Sequence, residues 1–168
     1  MAHRADFADK VVVITGGGGA LCSAMAKALA ENGARVAVLD VRKDAAEAVA
    51  CEIRQRGGQA ISVAVDVTER TSVELASRAV MDAFGTVDIR INGAGGNREE
   101  ATTGPNLSFF EIPPEAVKAV FDLNFLGTFI PCQVFGKVMA EKGAGSILNI
   151  ASMNAFRPLT RIPAYSAA

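Results

Sequence analysis

The sequence predicts an α/β fold in which a parallel β-sheet is covered on both faces by helices. Five short runs of β-branched residues alternate with four longer segments of helical periodicity, and glycine-containing turns separate them. Strict alternation with right-handed crossovers makes the strands parallel and places helices on both faces of the sheet. Half of the 168 residues are hydrophobic, so residues 1–168 have the length and composition of a single domain with an aliphatic core.

Local signals mark the ends of the five predicted strands and the four predicted helices between them. The first strand is a β-branched run that ends abruptly in glycine, and small and aliphatic residues at helical spacing follow it. Gly33 supplies a left-handed helix stop, Glu69 places a negative charge in the first turn of the third helix, and Pro114 begins the long fourth helix. The predicted strands are 10–15, 35–40, 60–67, 87–91 and 146–151, and the predicted helices are 20–32, 43–56, 68–84 and 114–142.

This alternation predicts a Rossmann-like, doubly wound sheet with strand order 3-2-1-4-5. In such a sheet ligands bind at the carboxyl ends of the strands, near the reversal between strands 1 and 4. The polar segment 97–114, which contains glycine and proline, is too long for an ordinary βα loop. We therefore expect it to border the substrate.

Two residues break the local rules. Pro131 lies inside the long predicted helix, where it leaves the Gly127 carbonyl without its N–H partner, so a kink is expected beside Gly127. Arg90 lies in the centre of the fourth strand, where both faces should be apolar. Because an unpaired buried guanidinium is costly, we expect Arg90 to meet a carboxylate or to reach solvent.

Composition and charge argue against several classes of protein. The chain has 17 basic and 18 acidic residues and no basic stripe, which argues against a nucleic-acid partner. Cys22, Cys51 and Cys132 are widely spaced and form no CxxC pair, as in a cytoplasmic protein with reduced thiols. No apolar run is expected to approach the ~18 residues needed to span a membrane. No metal site is predicted, and His3, the only histidine, is expected to be solvated.

The chain is organised around the turn after the first strand. Thr15 is followed by four glycines, which let the backbone turn sharply and bring N–H groups up to a ligand. A helix begins where the glycines end, so strand, turn and helix N-terminus form an anion site suited to a phosphate. The pattern is T-G-x-x-x-[small]-x-[small], with Ala20 and Cys22 where glycines are usual. This spacing resembles the cofactor loop of the short-chain dehydrogenase/reductase family.

Two further strand ends carry candidate cofactor contacts. Asp40 ends the second strand, where an acidic residue binds the adenosine ribose and repels a 2′-phosphate, so Asp40 favours NAD over NADP. The nearby Arg42 keeps NADP as the less favoured alternative, because a guanidinium attracts a phosphate. The resemblance places Asp66 and Val67 at the adenine, although Asp66 is equally well explained as a helix N-terminal anion. The loop after strand four resembles the family's N-x-A-G signature. The predicted cofactor-binding residues are Gly16, Gly18, Gly19, Leu21, Asp40, Asp66, Val67, Asn92, Gly93 and Ala94.

Three polar residues in the second half carry the candidate chemistry. Asn124 lies in the long helix, Ser152 follows strand five, and Tyr165 comes thirteen residues after Ser152. This set resembles the family's catalytic residues, which implies that Tyr165 is the general acid/base, Ser152 holds the substrate oxygen, and Asn124 positions a water. The family also has a lysine four residues after the tyrosine, which would fall just past Ala168. We therefore expect the 168-residue chain by itself to be inactive, because the resemblance implies later strands that it does not contain.

The loop sequences resemble sugar-acid oxidoreductases of the mannonate/fructuronate type within that family. Candidate substrate contacts are Asn97, Asn154 and Arg161, the arginine because its guanidinium matches a carboxylate, although a solvated loop charge explains Arg161 equally well. The resemblance implies an NAD-dependent oxidoreductase that interconverts a secondary alcohol and a ketone, and a homo-oligomer, dimeric or tetrameric. The alternative is a non-catalytic nucleotide-binding or sensor module with the same fold.

Overall fold

The computed structural model describes residues 7–168, so His3 lies outside the described residues. Five strands alternate with helices along the chain. The strands are β1 Val11–Thr15, β2 Arg35–Asp40, β3 Gln59–Ala64, β4 Ile89–Asn92 and β5 Ser146–Asn149. The α-helices are α1 Ala20–Glu31, α2 Lys43–Gln55, α3 Arg70–Phe84, α4 Pro114–Phe121, α5 Gly127–Lys142 and α6 Pro163–Ala167.

All paired strands are parallel, and their order is β3-β2-β1-β4-β5, which confirms the predicted doubly wound sheet. Alternate residues of β1 face opposite sides. Val12 and Ile14 pack with α1 and α2, while Val11 and Val13 pack with α3 and α5. Two apolar layers therefore enclose the central strands, as expected for a β-branched run buried on both faces. β5 forms one edge of the sheet and is exposed along its length.

The third strand is shorter and the third helix begins later than the sequence predicted. β3 ends at Ala64 and α3 begins at Arg70, with Glu69 at the N-cap instead of in the first turn. An Asp66 carboxylate oxygen accepts hydrogen bonds from the backbone N–H and the hydroxyl of Thr68 at 2.9 and 2.7 Å. This side-chain turn competes with both strand and helix, which is why the segment is irregular.

The long predicted helix is interrupted beside Gly127, the position at which the sequence predicted a kink. Between α4 and α5, residues Asp122–Leu126 form a π-helical turn that leads directly into Gly127. Pro131 itself lies within α5 and is buried. The irregularity is thus on the N-terminal side of Gly127, in the segment that carries Asn124, and π-turns inside helices often mark functional sites.

Arg90 contradicts the expectation that it would find a carboxylate or solvent. Its side chain is fully buried, and it donates hydrogen bonds to the Val13 carbonyl oxygen at 3.3 Å and to the Thr15 hydroxyl at 3.1 Å. Its guanidinium carbon lies 4.9 Å from the centroid of the Phe135 ring. Backbone, hydroxyl and aromatic ring together replace the expected carboxylate.

The stretch Pro114–Lys142 is long and apolar enough to cross a membrane, with a mean hydropathy of 1.2 in its most apolar window. The prediction that no apolar run approaches this length was therefore wrong. Such a helix is weak evidence for a membrane span, because core helices pass the same test. In α5, Phe135 and Met139 are buried against β1 and α3, as in a helix that covers a sheet.

Candidate functional site

The glycine turn packs against the loop after β4. Gly16 has φ +64°, and a Cβ there would lie 2.7 Å from the Gly93 carbonyl oxygen. At Gly18 a Cβ would lie 2.7 Å from the Cβ of Ala45. A side chain at Gly16 would meet the backbone of the loop after β4 and would need a φ near +60°, which favours glycine, while a side chain at Gly18 would meet α2. The turn therefore presents bare backbone at the carboxyl end of β1.

A cavity of about 530 Å³ opens at this end of the sheet. Its lining includes predicted cofactor residues from four strand ends: Gly16, Gly19, Asp40, Asp66, Val67, Gly93 and Ala94. Its volume is that of an ordinary small-molecule or cofactor site. The predicted residues Gly18, Leu21 and Asn92 are not in the lining; Gly18 supports the turn, Leu21 is exposed, and Asn92 is buried behind the loop.

Asp40 holds the glycine turn from the end of β2. One carboxylate oxygen accepts a hydrogen bond from the Gly18 N–H at 3.0 Å, and the other accepts one from the Arg42 N–H at 3.0 Å. Arg42 Nε lies 3.6 Å from the second oxygen. The side chain is nearly buried yet lines the cavity. Since each carboxylate oxygen can accept more than one hydrogen bond, Asp40 keeps acceptor capacity for hydroxyl donors.

Asp66 forms a side-chain turn and also lines the cavity. Its carboxylate organises the turn before α3 through Thr68, and the residue also lines the cavity beside Val67. Val67 is buried against Gly127, where a Cβ would lie 2.8 Å from a Val67 methyl carbon. Gly127 therefore lets the long helix approach this side of the cavity.

The loop after β4 is fixed from behind by Asn92 and Cys22. Asn92 Nδ2 donates to Asn149 Oδ1 at 2.8 Å and to Cys132 Sγ at 3.0 Å. Cys22 Sγ occupies the space that a Cβ on Gly93 would need. Burial, reinforced by the nearby Asp40 carboxylate, raises the pKa of the Cys22 thiol. Cys22 is therefore a packing residue, not a thiol activated by the helix N-terminus.

Asn124 holds the next part of the same loop. Its Nδ2 donates to the carbonyl oxygens of Gly96 and Val120 at 2.8 Å each, and its Oδ1 accepts from the Gly96 N–H at 3.0 Å. A Cβ on Gly95 would lie 2.8 Å from Asn124 Oδ1. The π-turn thus directs the Asn124 amide at the loop backbone, which joins the long helix to the cavity rim.

Ser152 and Tyr165 lie on adjoining elements beyond β5. Ser152 Oγ accepts a hydrogen bond from the Asn154 N–H at 3.2 Å and starts the 3-10 turn Met153–Ala155. The helix of Tyr165, α6, packs against that turn and against α4. Tyr165 is half-buried beside a small cluster of alanine and valine side chains. Within residues 7–168 no hydrogen bond joins the Ser152 and Tyr165 side chains, so the structure brings their elements together without pairing the two hydroxyls.

The candidate substrate residues lie on two loops that are tied together. The Arg161 carbonyl oxygen accepts hydrogen bonds from the N–H and hydroxyl of Thr103, at 2.8 and 3.3 Å, which joins the loop before α6 to the segment after β4. Asn97 Nδ2 donates to Thr102 Oγ1 at 2.7 Å. Asn154 is buried, and its Oδ1 has no hydrogen-bond partner among the described residues.

Sequence reasoning missed several residues of the cavity wall. Gly95 belongs to the N-x-A-G signature and could have been included on that ground. Nothing in the sequence pattern marks the others, because they reach the cavity only through the tertiary fold. They are Val41, Val65, Thr68, Arg98, Ala119, Asp122 and Leu123.

Comparisons with known proteins agree with this geometry. The family model for short chain dehydrogenases matches residues 10–168. The chain is 44% identical to an uncharacterised oxidoreductase of Bacillus subtilis over 97% of its own length, and 43% identical to one of Haemophilus influenzae over all of it. It spans only 62% of the length of each of these relatives.

Two solved structures show the same fold with cofactor bound. A candidate D-mannonate oxidoreductase from Haemophilus influenzae, solved with NAD, superposes with a TM-score of 0.90 at 43% identity, over 96% of this chain and 61% of that one. An NAD⁺-bound xylitol dehydrogenase superposes with a TM-score of 0.88 at 29% identity, over 97% of this chain and 60% of that one. Together with the glycine turn and the sheet order, these matches show that the chain belongs to the short-chain dehydrogenase family.

Proposed function

We propose that this protein binds NAD at the cavity and transfers hydride between the nicotinamide and a secondary alcohol or ketone. The observation that carries the proposal is the Asp40 carboxylate, which lines the cavity beside the glycine turn. Bare backbone at Gly16 and Gly93 leaves room for close approach of the pyrophosphate, and the N–H groups at the start of α1 favour an anion. The residues present therefore fit the cofactor. The similarity to two structures that contain NAD supports the same choice.

NAD, when bound, supplies the hydride acceptor and its reduced form the donor. The chain's own residues would transfer the proton. An alcohol that loses hydride must also lose its hydroxyl proton, and a ketone that gains hydride develops an alkoxide that needs one. In the proposal the Tyr165 hydroxyl gives or takes this proton, the Ser152 hydroxyl hydrogen-bonds the substrate oxygen, and Asn124 positions a water for the proton relay. The packing of α6 against the turn after Ser152 supports this grouping.

The substrate that we propose is a small polyhydroxy acid of the mannonate type. Similarity to the candidate D-mannonate oxidoreductase supports it. The three candidate contacts, Asn97, Asn154 and Arg161, lie on loops that the Thr103–Arg161 hydrogen bonds hold together. The Asn154 amide oxygen is buried without a described partner, so a substrate hydroxyl that reached it would satisfy a costly acceptor.

Binding of the cofactor is the direct test. The chain contains no tryptophan, so NADH binding is followed by the fluorescence of NADH itself or by calorimetry. We expect NADH to bind more tightly than NADPH. Turnover is then screened in the full-length protein with NAD and hexonates, with simple alcohols and apolar steroids as controls. Tighter NADPH binding would contradict the cofactor assignment, and turnover of the controls alone would contradict the substrate class. NADH binding without turnover of any substrate would favour the sensor alternative.

We further propose a cytoplasmic homo-oligomer, a dimer or tetramer. Support for association comes from an exposed aromatic stripe along the long helix, formed by Phe121, Phe125 and Phe129, of which Phe125 is 58% exposed. Large apolar patches of this kind mark interaction sites in many proteins. Light scattering coupled to size-exclusion chromatography measures the oligomeric state. A monomer at micromolar concentration would contradict the proposed oligomer. Recovery of the protein in the membrane fraction after cell lysis would contradict the proposed cytoplasmic location.

A further inference from the structure

Arg90 is a buried cation at the centre of the cofactor half of the sheet. It pairs in register with Val13 of the neighbouring strand, and its side chain lies on the face covered by Phe135 of α5. Within residues 7–168, none of the ion pairs includes Arg90, and its Nε has no hydrogen-bond partner. Burial lowers the pKa of Arg90 to about 9, which leaves the guanidinium charged at neutral pH. A charge placed here is costly for folding, so stability alone does not explain it.

The contacts of Arg90 lead directly to the cofactor turns. Its second terminal nitrogen donates to Thr15 Oγ1 at 3.1 Å, and the same oxygen accepts the Gly93 N–H at 3.3 Å. Thr15 is the residue before the left-handed Gly16, and Gly93 begins the loop after β4. Arg90, Thr15 and Gly93 therefore form one continuous hydrogen-bonded chain. It joins the ends of β1 and β4, the two strands between which the sheet order reverses.

We propose that Arg90 is a positioning residue for the dinucleotide: through the Thr15 hydroxyl it fixes the glycine turn relative to the loop after β4. The proposal rests on the proposed function, because it assumes that NAD binds at this cavity. The guanidinium holds Thr15 Oγ1 in the orientation that also accepts the Gly93 N–H, and the two turns are so close that a Cβ on Gly16 would lie 2.7 Å from the Gly93 carbonyl oxygen. A small shift between them would change the space left for the pyrophosphate.

This role predicts opposite effects on stability and on binding. Replacement of Arg90 by methionine removes a buried charge and an unpaired Nε, while Thr15 Oγ1 can still accept from Gly93. Replacing buried charges by apolar residues is often neutral or stabilising. We expect Arg90→Met to leave the melting temperature unchanged or to raise it, and to increase the NADH Kd about tenfold, because binding must then order a turn that the guanidinium had held in place. A purely structural role would lower the melting temperature instead.

Arg35 provides a matched control. It also lies on a strand, donates to two backbone carbonyl oxygens at 3.4 and 3.1 Å, and has its guanidinium 5.6 Å from the centroid of a phenylalanine ring, that of Phe84. It stands at the opposite, amino end of the sheet, at the first residue of β2. We therefore expect Arg35→Met to leave the NADH Kd within twofold of that of the wild type.

Thr15 variants test the same connection without changing Arg90. Thr15→Val removes the shared hydroxyl and should raise the NADH Kd as Arg90→Met does, whereas Thr15→Ser keeps the hydroxyl and should restore wild-type affinity. The double variant Arg90→Met, Thr15→Val should bind NADH no more weakly than either single variant, because both substitutions interrupt the same series of hydrogen bonds. The experiment is an NADH titration and a thermal melt of each variant.

Each outcome decides the proposal. Wild-type affinity in both Arg90→Met and Thr15→Val would overturn the positioning role while the proposed function stood. Equal losses of NADH affinity in Arg90→Met and Arg35→Met would also overturn it, because loss of any arginine on a strand would then weaken binding. If Arg90→Met does not fold, the Thr15 pair decides alone. If the wild-type protein binds no NADH, the proposed function fails and the inference fails with it.

Discussion

The charge of Asp40 is the sharpest test of cofactor choice. Asp40→Asn keeps a side chain of the same shape, with an amide oxygen that can still accept from the Gly18 N–H, but removes the negative charge. The carboxylate now accepts two backbone N–H groups at 3.0 Å each and has Arg42 Nε at 3.6 Å. Because the amide has a single acceptor oxygen, the variant keeps the bond from Gly18 and loses the one from the Arg42 N–H, so it removes the charge while half of the contacts that hold the turn remain.

The expected magnitude follows from Coulomb's law. Two unit charges about 4 Å apart interact by ~4 kcal/mol at an effective dielectric constant near 20. A 2′-phosphate beside Asp40 would meet repulsion of this order, which the nearby Arg42 guanidinium reduces. If about 1.4 kcal/mol of net repulsion remains, Asp40→Asn reduces the NADPH-to-NADH ratio of dissociation constants about tenfold. Calorimetric titration of both cofactors against both proteins measures this ratio at constant ionic strength.

The control for this prediction is Asp44→Asn. Asp44 is an exposed acidic residue in the first turn of α2, close in sequence to Asp40 but outside the cavity lining. We expect it to leave the ratio unchanged within twofold. A ratio that is the same in the wild type and in Asp40→Asn would refute the reasoning, and so would a loss of NADH affinity as large as the gain in NADPH affinity.

Three further predictions concern the turn, the chemistry and the fold. Gly16→Ala should lower the free energy of unfolding by at least ~1–2 kcal/mol, the cost of left-handed backbone without glycine, and should abolish NADH binding because the added methyl group would meet the Gly93 carbonyl oxygen. Gly57 also has a positive φ, +83°, but nothing lies within 4 Å of an added Cβ, so Gly57→Ala should lower stability without affecting NADH binding. Urea melts and NADH titrations of both variants measure the two effects. Tyr165→Phe should abolish turnover in the full-length protein without changing the NADH Kd, and retained turnover would exclude Tyr165 as the proton donor. Although partial burial raises the pKa of Asp88, hydrogen bonds from Lys142 and the Val11 N–H lower it overall. Its contribution to stability is therefore present above the unfolded-state pKa of ~3.9 and lost as the pH falls through the folded-state value. The free energy of unfolding from urea melts should therefore depend less on pH in Asp88→Asn than in the wild type between about pH 5 and pH 2. The same pH dependence in both proteins would contradict this.

Local patterns in the sequence were sufficient to predict the sheet. The β-branched run before Gly16 and the alternation of periodicities depend only on neighbouring residues, so strand order and the cofactor end of the sheet followed from general rules of chain connection. The ends of strands and helices were less well predicted where a side chain competes with the backbone for hydrogen bonds. At Asp66 the carboxylate satisfies the turn that ends β3 early. The sequence predicted a kink beside Gly127, but the π-turn that forms there around Asn124 depends on contacts with the loop after β4 and was not predicted.

By itself, the sequence determined the fold class, the glycine turn and the positions of Asp40 at the end of the second strand and of Ser152 after the fifth. These features are encoded over a few residues, where backbone geometry and hydrophobic spacing act. Only the tertiary structure decided what surrounds them. Arg90 is stable in a buried strand because the Val13 carbonyl, the Thr15 hydroxyl and the Phe135 ring converge on it from other elements. Arg98 reaches the cavity, and Cys22 fits beneath Gly93, for the same reason. Contacts between residues far apart in the chain depend on packing, which no local pattern specifies.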